Sequence, residues 1–339
     1  MYTSQVERPV RQRGDTFIMY REAAQRRFGK RQSDESRLSF DDLADNWLKS
    51  AKQRLKKTTF STYSGIVDSH LRPEFAGVFA EEIGDGSIHA FLTNKCSESS
   101  QLSASTLRGI ANVLKQIVTF GHDYGVPAHS EACKCSPKST KGGIEVLTED
   151  EERRILARLG DHPRGADLGI LISLKTGLRI GEVCALKWGD ISLDLGTLSV
   201  NRTVQRIKSF EEGAKTTIYF GEPKSADSRR KIPLSPALTE VLENSRGGEN
   251  EFVTSCRADK TVEPRTMQRH FKTVLRKAGV RELNFHVLRH SFATKCVERG
   301  FDIKSLSMIL GHSDVSITLN TYVHPSNERL RNMMALLDD

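Results

Sequence analysis

The sequence predicts a mainly α chain with one small antiparallel β-sheet, an α+β architecture in two domains. Three observations carry that prediction. Apolar residues recur at helical spacing through residues 39–120 and again beyond 236. Between Leu198 and Ile232 the period shifts towards two. Residues 126–146, with Pro127, Pro137, Gly142, Gly143 and several Ser and Lys, show no period and read as an interdomain linker.

Residues 1–37 are rich in Arg, Gln and Glu, and read as a basic N-terminal arm or a disordered tail. The first domain, 38–125, is expected to be all helical. Ser39 is placed to cap its first helix, with Asp42 at N3 and Phe40, Leu43, Trp47, Leu48 and Ala51 on one face. A second helix begins near Thr58, buries Phe60, Tyr63, Ile66 and Val67, and is expected to stop at Pro73. Gly84 to Gly86 open a third, through Ile88, Phe91 and Leu92. Ser103 or Ser105 caps a fourth, whose stripe is Leu107, Ile110, Val113, Leu114, Ile117 and Phe120. Lys56, Lys57, Thr58 and Thr59 sit at a helix start, where charge, hydroxyls and free N–H groups suit a backbone phosphate. A solvated turn is the plainer reading of each taken singly.

The second domain, 147–339, opens on a capping box, Thr148-Glu149-Asp150-Glu151. A strongly apolar helix from Ala166 to Leu174 follows and breaks at Thr176-Gly177. Arg179 comes next, ahead of a short helix ending at Trp188. Leu198 to Ile207, Thr217 to Phe220 and Ser228 to Ile232 read as a three-stranded antiparallel sheet, with Lys224 in the turn before the last strand. Helices are expected at 237–244, 265–278, 285–299, 302–310 and 314–321. Arg265, Gln268, Arg269 and Lys272 share a polar helix face, fit either for groove contacts or for water. A last amphipathic helix at 326–337 docks either on a neighbouring subunit or on its own domain.

Bulk properties narrow the function. The net charge of +8 favours an acidic partner, and nucleic acid is the commonest one. No apolar run reaches the roughly 18 residues of a membrane span, and no secretory h-region is visible, so a cytoplasmic protein is expected. The six cysteines lack a framework spacing, which fits reduced thiols. Cys133 and Cys135, near His129, lack the second pair that a zinc site would need. No phosphate-binding Gly-x-x-x-x-Gly-Lys loop and no carboxylate cluster is present, so neither ATP nor a catalytic metal is expected.

The chemistry concentrates at the C-terminal end, in three motifs: His286-Val287-Leu288-Arg289-His290, Leu310-Gly311-His312 and Asn320-Thr321-Tyr322. His286 and Arg289, three apart, share a helix face. Gly311 reads as a helix stop, which would put His312 at the start of the next helix. Alone, a histidine such as His290 is most often a core or surface residue, and a lone tyrosine is usually packing. Taken in order, Arg179 in Thr176-Gly177-Leu178-Arg179-Ile180-Gly181-Glu182, Lys224, His286 with Arg289, His312 and Tyr322 resemble the tyrosine recombinase family, the phage-integrase group of site-specific DNA recombinases.

The resemblance covers the second domain, and the helical domain before it looks like the core-binding domain of such enzymes. It implies a C-shaped clamp on duplex DNA and a 3′-phosphotyrosyl intermediate, with no cofactor. Arg179, Arg289, His312 and His286 would hold the phosphate, Tyr322 would attack it and Lys224 would protonate the leaving oxygen. Glu182 fits a residue that holds a basic side chain. The implied assembly is a homotetramer on DNA, joined in some cases by an accessory directionality factor. The expected role is integration and excision of a mobile element, a prophage or conjugative transposon. The alternatives are a chromosome-dimer resolvase, type IB topoisomerase-like relaxation, and a non-catalytic DNA-binding regulator.

Overall fold

The computed structural model describes residues 37–97, 102–124, 144–209, 214–222, 229–255 and 260–322, with Arg331, Met334 and Ala335. Residues 1–36, Lys224, His129, Cys133, Cys135, most of the expected linker and nearly all of the expected helix at 326–337 lie outside them. The chain divides into two compact units, Met1–Lys141 and Gly142–Asp339.

The described part of the first unit is helical. Helix α1 (Phe40–Arg54) starts at Ser39, whose Oγ accepts the Asp42 N–H at 3.1 Å. Helix α2 (Lys57–Ile66) does not end at Pro73. It passes through a π-turn, Val67–Leu71, into α3 (Arg72–Phe75). A proline lacks an N–H and clashes with the carbonyl four residues back. The π-turn carries the chain past it, with the Arg72 N–H bonded to the Val67 carbonyl. Helix α4 (Asp85–Ser97) follows, then α5 (Ala104–Gly121), capped by Ser103 through the Thr106 N–H at 3.1 Å. Phe40, Trp47, Phe91, Ile110, Leu114 and Ile117 are fully enclosed in the shared core.

In the second unit α6 (Glu149–Leu159) carries the expected capping box, complete in both directions. Helix α7 (Ala166–Thr176) is buried on nearly every face and ends at Gly177, in the left-handed region at φ 68°. A Cβ there would come within 2.6 Å of the Phe292 ring, so both backbone and space call for glycine. Helix α8 (Ile180–Cys184) begins at Arg179. The remaining helices are α9 (Pro236–Asn244), α10 (Pro264–Lys277), α11 (Val287–Glu298), α12 (Ile303–Leu310) and α13 (Val315–Tyr322). Helix α11 packs on α7, α12 and α13, which brings the three motifs together.

The single three-stranded sheet expected from the sequence is two sheets. Strands β1 (Ile191–Ser192), β2 (Thr197–Val200) and β5 (Arg230–Pro233) form one, in the order β1-β2-β5. Strands β3 (Thr203–Lys208) and β4 (Thr216–Gly221) form a separate antiparallel pair. The break falls at Asn201 and Arg202. Asn201 Nδ2 and Arg202 Nη1 both donate to the buried Asp190 carboxylate, at 2.9 and 2.7 Å, and the chain leaves the first sheet there. Among the described residues no helix is long and apolar enough to cross a membrane, and no group of His, Cys, Asp and Glu is arranged to hold a metal.

Candidate active site

The C-terminal end of α12 organises the site. Its last carbonyls have no intrahelical partner and carry the negative end of the helix dipole. Three arginines take three consecutive ones. Arg230 Nε donates to Ile309 O at 2.5 Å, Arg289 Nη2 to Leu310 O at 2.9 Å and Arg179 Nη2 to Gly311 O at 3.1 Å. Gly311 lies at φ 66°, and the N–H groups of Gly311 and His312 return to Met308 O and Ser307 O, the double bond of a Schellman turn. A Cβ at Gly311 would stand 2.9 Å from Arg230 Nη1, so glycine also lets the guanidinium lie against the turn. His312 is therefore in the turn rather than at a helix start, since α13 begins at Val315. Its N–H is already bonded and offers nothing to an anion.

Glu182 holds two of these cations. Its carboxylate accepts from Arg179 Nη1 and the Arg179 backbone N–H, both at 2.9 Å. It also accepts from Arg230 Nη1 and Nη2, at 3.1 and 3.0 Å. The residue is only 6% exposed. Burial alone would raise its pKa, but Arg230 and then Arg179 more than reverse this and hold it below the usual carboxylate range. Arg289, 2% exposed, is anchored a second time by Gly177 O at 2.8 Å. Burial and the neighbouring Arg179 push its pKa down to about 9, so it remains a cation at neutral pH.

The histidine tautomers follow from the donors around them. Arg289 Nη2 lies 2.8 Å from His312 Nε2, and a guanidinium only donates, so Nε2 accepts. The proton is then on Nδ1, which donates to Thr318 Oγ1 at 2.8 Å. Burial and then Arg289, Arg179 and Arg230 push His312 down to about 4. His286 lies at the exposed N-cap of α11. Close packing by the surrounding protein, then His290, Arg289 and Arg179, push it also to about 4. An anionic group bound here would relieve that repulsion.

Tyr322 ends α13 and is 8% exposed. Its ring packs into a small core with Ala293, Cys296, Leu306 and Leu310. Its Oη lies 2.8 Å from His290 Nδ1. Burial raises its pKa, while the Arg289 and Arg179 cations pull part of that back. Arg179, His286, Arg289, His312 and Tyr322 thus converge in one place.

Arg230, His290 and Thr318 belong to the same cluster; Arg230 and Thr318 were not singled out from the sequence, and His290 was read there as an ordinary core or surface residue. Two signals were there. Arg230 stands two residues before the buried Ile232 on a strand, hence on the same face. His290 stands four after His286 on the helix that carries Arg289.

The suggested phosphate and groove residues have less in common. Lys56 and Lys57 are exposed at the start of α2, and Thr58 and Thr59 are half-buried in its first turn. On α10, Arg265 and Arg269 are exposed. Lys272 is exposed too and is ion-paired to Glu282 at 2.5 Å. Gln268 departs from the expected polar face: it is half-buried, and its Oε1 accepts the Phe285 N–H at 3.0 Å, a structural bond between α10 and the start of α11.

Residues 145–329 match the phage integrase family, and residues 39–78 match the phage integrase N-terminal SAM-like domain. The chain belongs to the phage integrase family. Its members are tyrosine recombinases, enzymes that cleave and rejoin DNA. The chain is 27% identical over 332 residues to a tyrosine recombinase XerC-like protein of Caldanaerobacter subterraneus, covering 89% of this chain and 83% of that one. It is 31% identical over 219 residues to tyrosine recombinase XerA of Pyrococcus furiosus, covering 63% and 68%. In fold it is similar to the Tn1549 transposon integrase in complex with transposon right end DNA, at TM-score 0.70 and 19% identity, over 88% of this chain and 99% of that one. A lambda integrase dimer bound to a core site gives TM-score 0.63 at 19% identity, over 90% and 85%.

Proposed function

We propose that this recombinase cuts one DNA strand by attack of Tyr322 on a phosphodiester held by Arg179, Arg289 and His286, with His312 positioning Arg289. The observation that carries the reading is the convergence of two guanidinium groups on the last turn of α12, beside the phenol. Attack adds negative charge to the non-bridging oxygens, and donors already in place stabilise it without reorganising. The arginines keep N–H groups beyond those bonded to carbonyls, because each guanidinium carries about five. The 3′-phosphotyrosyl bond stores the energy of the broken linkage, so rejoining needs no nucleotide cofactor. Lys224 is the candidate acid for the 5′-oxygen.

Recombination joins two duplexes through four cuts, which supports a tetramer on DNA, with or without a directionality factor. The likeness to transposon and lambda integrases favours integration and excision of a mobile element over dimer resolution. The helical unit would serve as the core-binding domain. Lys56, Lys57, Thr58, Thr59, Arg265, Arg269 and Lys272 are the candidate DNA contacts.

The test is a nicked half-site that traps the covalent complex. Wild type forms a protein–DNA adduct and Tyr322→Phe forms none. An adduct that survives in Tyr322→Phe removes the nucleophile assignment. Lys224→Ala slows cleavage by about 10²-fold or more on normal DNA, and far less when sulfur replaces the 5′-bridging oxygen and leaves unprotonated. Equal slowing on both substrates removes Lys224 from the acid role.

A further inference from the structure

We propose that His290 takes the phenolic proton of Tyr322 during cleavage and returns it during religation. The proposal rests on Tyr322 as nucleophile and adds a residue to the reaction.

Three facts carry it. The first is the 2.8 Å approach of His290 Nδ1 to Tyr322 Oη. The second is the charge beside the phenol. The Arg289 guanidinium favours the ionised form of Tyr322 and keeps His290 neutral. A neutral imidazole protonated on Nε2 presents its Nδ1 lone pair to the proton that must leave. The third is elimination. Both nitrogens of His312 are engaged, by Arg289 and Thr318. His286 stands edge-on to His290, ring centroids 4.6 Å apart at 88°. Among the described residues His290 is the imidazole that meets the nucleophile.

The charges around it fit the task. His286 and Arg289 face it from its own helix, and Tyr322 faces it from α13. On α7, Asp167 and Lys175 are turned to His270 and Glu152. On α12 the titratable side chain is Lys304, which is exposed. Burial and then Arg289 hold His290 below the ordinary imidazole range. It therefore stays a neutral acceptor at pH 7 while Tyr322 stays a phenol. A DNA phosphate beside Arg289 offsets that cation and raises the basicity of His290 when the proton has to move.

In the step, the Oη–P bond forms and the phenolic proton passes to Nδ1. The P–O5′ bond breaks, and the departing oxygen takes a proton from the acid assigned above. Religation reverses each transfer. A neutral His290 is required, so the cleavage rate falls as pH drops through its pKa in the complex.

The test is the single-turnover cleavage rate of the nicked half-site from about pH 5 to about pH 9, with DNA affinity measured on the same preparations. Asparagine places an amide oxygen close to the position of Nδ1, so His290→Asn keeps a hydrogen-bond acceptor but no base. It should bind DNA as wild type does, cleave about 10²-fold or more slowly and lose the acid limb of the profile. His286→Asn should keep that limb. If His290→Asn fails to bind DNA, His290→Ala decides: added imidazole should restore cleavage. A rate within about threefold of wild type in His290→Asn, a limb lost in His286→Asn instead, or no rescue by imidazole overturns the proposal. Tyr322→Phe separates the premises. An adduct there overturns the nucleophile itself, whereas its absence beside a fast His290→Asn overturns only the role of His290.

Discussion

The two units bury different things. In the helical unit, among the described residues, the buried side chains are apolar apart from Ser64, and its charged network lies at the surface. There Arg72 reaches Asp41, Asp45 and Asp68 across α1 and the π-turn. The second unit buries Arg289, Glu182, Asp190 and Glu151. An interior charge is expensive even when paired, and apolar replacements are often as stable or more so. A unit that keeps several of them is built around a task other than stability. Under the proposed function that task is to hold guanidinium groups still before a substrate arrives.

Glu182→Gln should have the largest effect. The change keeps the shape and removes the charge that faces both Arg179 and Arg230. Removing one partner of a buried pair typically costs about 3–5 kcal/mol, because the remaining charge is left uncompensated. Denaturant unfolding followed through Trp188, in a Trp47→Phe background, should show a loss of that order in the second unit. A loss below about 1 kcal/mol would mean that the cluster is solvated and that the contrast between the units is only apparent.

Acid should separate the units next. His312 titrates near 4 in the folded unit because of burial and the nearby arginines, against about 6.5 unfolded. Between those values the unfolded chain binds the extra proton, so stability is full above about pH 6.5 and is lost as pH falls towards 4. His286 acts in the same direction, discounted for its exposure. In the helical unit His70 is also lowered, by burial and then Lys95, so the sign is shared and the contrast is one of size. Thermal melts at pH 7 and at about pH 5 should lower the Trp188 transition more than the Trp47 transition. Equal displacement would show that the imidazoles near the arginines carry no special linkage.

What could be read from the sequence follows the range of the forces involved. Ser39, Ser103 and the box from Thr148 to Glu151 cap helices through bonds spanning three residues, and each was legible. So was the glycine stop at Gly311, although the start of the next helix was placed too early. The division into two sheets was not legible, because it depends on Asp190 drawing Asn201 and Arg202 away from the strand. The role of Gln268 depends on a backbone N–H 17 residues away. Pro73 was read as a stop because the π-turn that accommodates it leaves no residue pattern of its own. Arg230 and His290 lay on predicted faces, but their partners, Ile309 and Tyr322, are 79 and 32 residues distant.

The smallest effect belongs to the surface of the helical unit, and its smallness is the point. Asp45→Asn removes one of three carboxylates around Arg72, and that carboxylate is 56% exposed. Water already solvates it, Asp41 and Asp68 remain, and ordinary salt screens what is left. The Trp47 transition in a Trp188→Phe background should move by less than about 1 kcal/mol, and by less still as salt is raised. A change as large as that for Glu182→Gln would show that exposed and buried networks stabilise this protein alike. Burial could not then be used to tell a charge kept for chemistry from one kept for solubility.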